Sequence, residues 1–276
     1  MKNAKVKLID GRKRVFRIEV AGLIIYIDNR YEDVRTLCRD YITQEERKAD
    51  IYISVSEEEL KEEMDKAPEY FFGKGYAEGI VAYEKISNAL PAFDAFVMHS
   101  SVVEVDGGAY AFAAESGTGK STHTRYWKEV LGDRLTVING DKPILRAKNP
   151  GRKYEVGSRR CEGGRGGDPS AALSSDTLLA YGTPWCGKEG WNTNTCAPLK
   201  ALCLLERGEK NEIFPIDAFE HLGELMGHFH LPGNGMVDMP KLMELIDRMV
   251  STIPVYRLRC MNDISAAETA IKYFRL

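Results

Sequence analysis

Short apolar runs alternate with amphipathic stretches along most of the chain, the pattern of interleaved strands and helices. RVFRIEV (14–20) and LIIYID (23–28) predict the strands of a β-hairpin that turns at Ala21 and Gly22. YEDVRTLCRDYI suits a helix, ADIYISVS a strand, and SEEELKEEMDKA a solvated acidic helix that begins at Ser56. The acidic run from Glu57 to Glu63 is read as the water-facing side of that helix, with docking of a basic partner as the alternative.

An amphipathic stretch, AEGIVAYEKISNALPAF, comes next. HSSVVEVDGGAYAFAAESGTGKSTHTRYW then predicts a strand, an Asp-Gly turn, a second strand, a tight glycine loop and a helix. RLTVINGD is a strand ending in an acid, and LKALCLLER (199–207) is another strand. DMPKLMELIDRMVSTI gives a late helix, PVYRLRC a strand and ISAAETAIKYF a terminal helix. Between these elements, NPGRKYEVGSRRCEGGRGGDPSAALSSD is rich in Gly, Arg and Ser and poor in apolar residues. That composition predicts a mobile loop over 150–178, serving either substrate recognition or surface decoration. The pattern divides the chain into a small α/β N-terminal region, 1–76, and a larger α/β domain, 77–276.

Composition narrows the classes. With 43% hydrophobic and 29% charged residues in 276, the chain can bury a sizeable core, which excludes disorder and fibre. Lys+Arg 38 against Asp+Glu 41 leaves a net charge of -3, so no global field draws nucleic acid or an anionic membrane. No apolar run approaches the roughly 20 residues that span a bilayer, and the charged opening MKNAKVKLIDGRKRVFRIEV lacks a signal-peptide stretch. A cytoplasmic protein without nucleic-acid or membrane partners is expected, with homo-oligomer formation left open. The six cysteines contain no CxxC pair and are expected to be reduced thiols. His228 and His230 in HFHLP are read as structural, with metal ligation from alternate strand positions as the alternative.

The strongest chemical signal is Glu115-Ser116-Gly117-Thr118-Gly119-Lys120-Ser121-Thr122. A triphosphate needs backbone N–H groups converging on its oxygens, and glycines let the backbone turn tightly enough to supply them. Ser116, Gly117, Thr118, Gly119, Lys120, Ser121 and Thr122 are therefore the expected ATP-binding residues. Lys120 reaches the β- and γ-phosphates, the Ser121 hydroxyl ligates Mg²⁺, and the helix start adds its positive dipole end. Ala114 stands where GxxxxGK[ST] has its first glycine.

Asp141, at the end of TVING, emerges where nucleotide-bound Mg²⁺ usually finds a carboxylate anchor. His99 is the third piece. A hairpin centred near Gly107 pairs residues whose numbers sum to about 214, which sets His99 opposite Glu115. An imidazole there would handle protons or charge at a transferring phosphoryl group, or else cap the strand end. His123 is read as helix packing or capping. In YGTPWCGKEGWNTN (181–194), Lys188 is a candidate cationic clamp on the γ-phosphate, against a packing role for the loop. Cys186 has no identifiable base partner to make it a nucleophile.

Met98-His99 followed by the SGTGKS loop, with its lysine 21 positions after the histidine, resembles the catalytic domain of HPr kinase/phosphorylase. SGTGKST and the acid of INGD also resemble ATP-dependent phosphoenolpyruvate carboxykinase, which shares that P-loop fold. The resemblance covers roughly 77–275 as a pattern of elements, while His99, the phosphate loop and Asp141 carry the motif matches. It implies an α/β fold of the HPr kinase/phosphoenolpyruvate carboxykinase type. It also implies an ATP- and Mg²⁺-dependent phosphotransferase acting on a hydroxyl of a protein, a peptide or a small molecule.

Catalytic roles would fall to His99, Lys120, Asp141 and Lys188, and Mg²⁺ would be held by Ser121 and Asp141. Both families carry two consecutive acids where this chain has Gly140-Asp141, and Ser100 replaces the glycine after the family histidine. The missing first acid is the expected proton acceptor, which leaves His99 or another group as base. The rival expectations are a non-catalytic nucleotide-binding module and a short carboxykinase-like enzyme.

Overall fold

The computed structural model describes residues 8–9, 12–13, 15–66, 73–147, 177–231 and 238–276. The loop expected over 150–178 therefore lies, as far as 176, outside the described residues. The chain forms two compact units, Met1–Ala89 and Leu90–Leu276.

In the first unit, β1 (Leu8–Ile9) and β2 (Arg12–Lys13) form a short antiparallel pair. β3 (Val15–Val20) and β4 (Leu23–Asp28) form the expected hairpin. Ala21 (φ 53) and Gly22 (φ 70) both take left-handed backbone at its turn, the requirement of a type I′ connection. Alternate residues Phe16, Ile18 and Val20 are buried, as a half-covered strand demands.

α1 (Glu32–Leu37) leads to β5 (Ile51–Ser54), which runs parallel to β4. α2 (Glu57–Lys66) opens on a reciprocal capping box: Glu59 N donates to Ser56 Oγ at 3.2 Å and Ser56 N to Glu59 Oε2 at 2.8 Å. α3 (Lys74–Ala89) packs on α1, α2 and β5. Its buried Glu78 accepts the N–H groups of Arg30 at 2.6 Å and Tyr31 at 2.9 Å. Helix α3 thus falls in the first unit, and the division lies at 89/90, beyond the boundary expected at 76.

The second unit contains β6 (Ala95–Val97), β7 (Ser101–Val105), β8 (Gly108–Ala113), α4 (Lys120–Leu131), β9 (Leu135–Asn139) and β10 (Ile144–Ala147). After these come β11 (Leu178–Tyr181), β12 (Cys196–Arg207), β13 (Glu212–Ile216), α5 (Leu222–Met226), α6 (Met239–Thr252), β14 (Val255–Cys260) and α7 (Ser265–Phe274). Among the described residues the strands run β6-β10-β11-β12-β8-β7-β9, with β14 on β12 and β13 on β14. β12 is the organising strand. Its start pairs antiparallel with β11, its middle parallel with β8 and its end parallel with β14, with a register shift between Leu199 and Ala201.

Two cores follow from the period of two along these strands. Val102, Ala111, Ala113, Leu202 and Leu204 face one way, where α6 covers them with Leu242, Leu245, Ile246 and Met249. Val103, Phe112, Val137 and Cys203 face the other way, toward Trp127 of α4 and Ala267, Ala270 and Ile271 of α7. Burying each large apolar side chain of α6 is worth about 1.5–3 kcal/mol. The exposed Lys241–Glu244 ion pair on the same helix is worth at most about 1 kcal/mol. Packing, not surface charge, fixes the helix. With helices on both faces of a mixed sheet, the architecture is the α/β class that the sequence predicts.

The expectation of six reduced thiols needs one correction: Cys196, at the start of β12, is disulfide-bonded. Sequence spacing does not reveal which cysteines a fold brings to bridging distance. Cys38, Cys186, Cys203 and Cys260 are free, and burial pushes the thiols of Cys38 and Cys260 up to about 12. Burial also raises the thiol of Cys186, which speaks against its serving as a nucleophile.

Candidate functional site

β8 is buried at every position because it lies between β7 and β12 and is covered on both faces. Where it ends, at Ala113, the chain leaves the sheet as a short loop and continues as α4. Thr118 N donates to Glu115 O at 3.2 Å, closing the loop, and His123 N donates to Gly119 O at 2.9 Å, opening the helix. Gly117 has φ +82 and Gly119 φ +120, and a Cβ on either would meet nothing within 4 Å. The glycines are thus required by backbone conformation rather than by crowding. Ser121 and Thr122 sit in the first turn of α4, where unpaired N–H groups and the helix dipole favour an anion.

The hairpin β7–β8 turns at Asp106 (φ 49) and Gly107 (φ 82), with Ser101 opposite Phe112 and Val105 opposite Gly108. Partners therefore sum to 213, one below the expected value, and this register carries His99 to the level of Ala114 rather than Glu115.

The His99 side chain also makes a different contact from the one expected. Its Nε2 lies 2.9 Å from Oδ1 of Asp141. Three backbone bonds pin its segment: Met98 N to Pro143 O at 3.3 Å, His99 N to His228 O at 2.6 Å and Ser100 N to Asp141 O at 3.0 Å. His99 and Asp141 are consequently joined twice, through the side chains and through the neighbouring peptide.

Lys120 Nζ lies 3.8 Å from the same Oδ1, and Lys142 Nζ lies 3.7 Å from Oδ2. Burial alone would raise the Asp141 carboxyl. The hydrogen bond and charge of His99, with Lys142 and Lys120, overcome burial and hold it below the ordinary carboxylate value. Burial lowers the Lys120 ammonium and Lys142 adds to that, against the pull of Asp141. One carboxylate thus serves three basic groups at the mouth of the glycine loop.

Asn139 holds this carboxylate in place. Fully buried at the end of β9, it accepts Asp141 N at 2.8 Å and Lys142 N at 2.7 Å on Oδ1. Its Nδ2 donates to Thr183 O at 3.1 Å, Thr183 Oγ1 at 3.0 Å and Trp185 O at 3.3 Å. Gly140 N donates to Trp191 O at 2.8 Å. A Cβ at Gly140 would lie 3.1 Å from Cys186 O and 3.4 Å from Trp191 O, so the 183–191 loop fills the space of a side chain there. Gly187 (φ +75) packs against Asp141, where a Cβ would meet the Asp141 Cβ at 3.1 Å. Lys188 follows Gly187 on this loop and is exposed.

His123 is a core residue, as its packing role predicts. Its Nε2 accepts the Trp127 indole N–H at 2.9 Å, its ring meets Phe112 edge-on, and burial pulls its pKa down to about 3. His228 and His230 flank the His99 segment. His228 O accepts His99 N, and His230 N donates to Val97 O at 3.1 Å. Burial, then the charges of His99 and Lys120, lowers the His228 imidazole. Among the described residues no group of three or more His, Cys, Asp or Glu side chains is gathered to hold a metal.

Arg207, which the sequence places only as the last residue of a strand, reaches the glycine loop. From the end of β12 it donates Nη2–H to Gly117 O at 2.6 Å and Nε–H to Thr118 O at 3.4 Å. In the first unit a polar depression is lined by Asp28, Arg30, Ser54, Ser56, Glu59 and Lys85. Its cations are already engaged, Arg30 with Glu57 and Lys85 with Glu59.

No family model matches the chain, and no curated protein matches it. Among solved structures it aligns with the HPr(Ser) kinase/phosphatase from Coxiella burnetii at 10% identity and a TM-score of 0.35, over 65% of this chain and 95% of that one. So low a likeness carries no weight for function. No helix among the described residues is long and apolar enough to cross a membrane.

Proposed function

We propose that this chain is an ATP- and Mg²⁺-dependent kinase that transfers the γ-phosphoryl group to a hydroxyl, on a serine of a protein or peptide or on a small molecule. The carrying observation is that His99, at 2.9 Å, and Lys120, at 3.8 Å, share Oδ1 of Asp141 beside a positive-φ glycine loop that opens a helix.

In this reading Lys120 and the loop amides bind the phosphates. Asp141, kept ionised, and the Ser121 hydroxyl suit Mg²⁺, which takes one or two carboxylates and completes its shell with phosphate oxygens and water. When bound, the metal neutralises charge developing on the phosphate oxygens. With Nε2 held 2.9 Å from Asp141, the neutral form of His99 would keep Nδ1 as the ring acceptor for the proton of an attacking hydroxyl. Asp141 orients that ring as the acid of a triad orients its histidine. Lys188, beside Gly187, supplies a cation on the loop that packs against Asp141.

The filled space at Gly140 favours a second reading, a nucleotide-binding module without turnover, because a two-acid arrangement has no room there. Titration of ATP with and without Mg²⁺ into wild type and Lys120→Ala tests both readings, followed by a γ-phosphoryl transfer assay on serine peptides. Mg²⁺-dependent binding lost in the variant, together with transfer, supports the kinase. Binding without transfer or hydrolysis selects the module, and absence of binding to wild type ends both. ATP consumption that depends on oxaloacetate would instead select the carboxykinase-like reading.

A further inference from the structure

Arg207 closes β12, the strand that runs parallel beside β8 with Leu204 opposite Ala113. Three residues beyond that pair, β8 has given way to the glycine loop, and the guanidinium meets the carbonyls of Gly117 and Thr118 at 2.6 and 3.4 Å. In a trans peptide the C=O and N–H point in opposite directions. Drawing the Thr118 carbonyl toward Arg207 therefore turns the Gly119 N–H away from the guanidinium. Gly117 and Gly119 would otherwise leave these peptide planes free to rotate, since glycine carries the largest backbone entropy.

The charge environment is consistent with this role. Arg257 and Arg259 on neighbouring β14 are paired with Glu206, Glu212 and Glu224. Arg207 is exposed, and among the described residues no carboxylate lies within ion-pair distance of it. Its hydrogen bonds are spent on neutral loop carbonyls, which leaves its positive charge standing beside the loop.

We propose that Arg207 is a positioning residue for polyphosphate binding: it clasps the glycine loop through the Gly117 and Thr118 carbonyls and sets the loop amides before a nucleotide arrives. The ligand rests on the nucleotide-binding reading above, whereas the clasp is a property of the unliganded chain. Two measurements on the full chain separate them, using wild type, Arg207→Ala and Arg207→Lys, with circular dichroism as a check that each is folded.

The first is hydrogen exchange of the 116–120 amides without nucleotide, where Arg207→Ala is expected to exchange about tenfold faster and Arg207→Lys to fall between it and wild type. The second is Mg·ATP titration, where Arg207→Ala is expected to weaken binding about tenfold, Arg207→Lys to recover to within about threefold, and turnover of the bound complex to change little. Unchanged exchange overturns the proposal. Faster exchange with unchanged affinity also overturns it, because the clasp would then position nothing. Weaker binding with unchanged exchange assigns Arg207 to the nucleotide itself and overturns the positioning role. If wild type binds no ATP, the functional reading fails while the exchange result still stands or falls by itself.

Discussion

Asn139 and Thr183 are joined by an amide-to-hydroxyl hydrogen bond of 3.0 Å between side chains 44 positions apart in sequence. The same asparagine accepts the backbone of Asp141, so Thr183 and Asp141 are braced through a single buried amide. Asn139→Ala would remove the acceptor of the part-buried N–H groups of Asp141 and Lys142, at up to about 1–3 kcal/mol for each group left unsatisfied. Urea denaturation is expected to show a loss of about 2–4 kcal/mol, with weaker Mg·ATP binding in the remaining folded protein. Wild-type stability in this variant would remove Asn139 as the brace.

His99→Ala breaks the 2.9 Å bond to Asp141 but leaves the loop and Lys120 in place. Phosphoryl transfer should fall about 10²- to 10⁴-fold, the usual contribution of a positioned general base. ATP affinity measured by calorimetry should stay within a few fold. A parallel collapse of affinity would make His99 a binding group instead.

Gly140→Asp tests whether the first acid of the pair can be restored. A side chain there meets Cys186 O at 3.1 Å and Trp191 O at 3.4 Å. The substitution should displace the 183–191 loop, destabilise by about 1–3 kcal/mol as overpacking does, and bring no gain in turnover. Increased transfer activity would show that the loop yields and that the acid pair can be rebuilt.

Gly119→Ala acts through the backbone. A methyl group would find open space, but φ +120 is strained for any L side chain, at about 1–3 kcal/mol. The expected signature is nucleotide affinity reduced tenfold or more with a near-wild-type melting temperature, because the loop relaxes and the sheet does not.

The pH dependence of stability carries the mark of His123. Burial lowers its pKa from 6.5 to about 3 in the folded state, so folded protein resists a proton that unfolded chain accepts. At neutral pH both states are unprotonated and the residue has no effect. Below pH 6.5 the unfolded state gains a proton first, and stability falls until pH approaches 3, with a limiting slope of about 1.4 kcal/mol per pH unit. His123→Gln keeps an acceptor for the Trp127 indole and removes the titration. Urea midpoints at pH 7, 5.5 and 4.5 should therefore decline less in the variant than in wild type, and equal declines would exclude His123 as the source.

Legibility in the sequence follows the range of the interactions. The strand, glycine loop and helix around Gly117 and Lys120 are local, and their residues predict them directly. The capping box of Ser56 and Glu59 is local too. His99 was singled out, but hairpin arithmetic sets it against the loop. The contact with Asp141 depends on β7 also pairing with β9, Val103 opposite Val137, which no turn residue announces.

Arg207 was invisible for a related reason. LKALCLLER reads as a strand, yet nothing in it says that the strand lies parallel to β8. The role of the His228 segment depends on the Met98–Phe229 bridge. β13 contains Pro215, which an edge strand tolerates.

Gly182 leaves so little room that a Cβ there would come within 2.0 Å of Thr193 O and 2.8 Å of Ile138 O. Backbone rests on backbone at this crossing, so the ends of β9 and of the 183–193 segment move as one body. Trp185 and Trp191 both hold that body to Asn139 and Gly140 through their carbonyls, while Trp127, the third tryptophan, sits sealed in the core. Two indoles thus lie on the segment braced to Asp141 and the third lies buried on α4, so a ligand that moved that segment would change the tryptophan emission of the unlabelled protein.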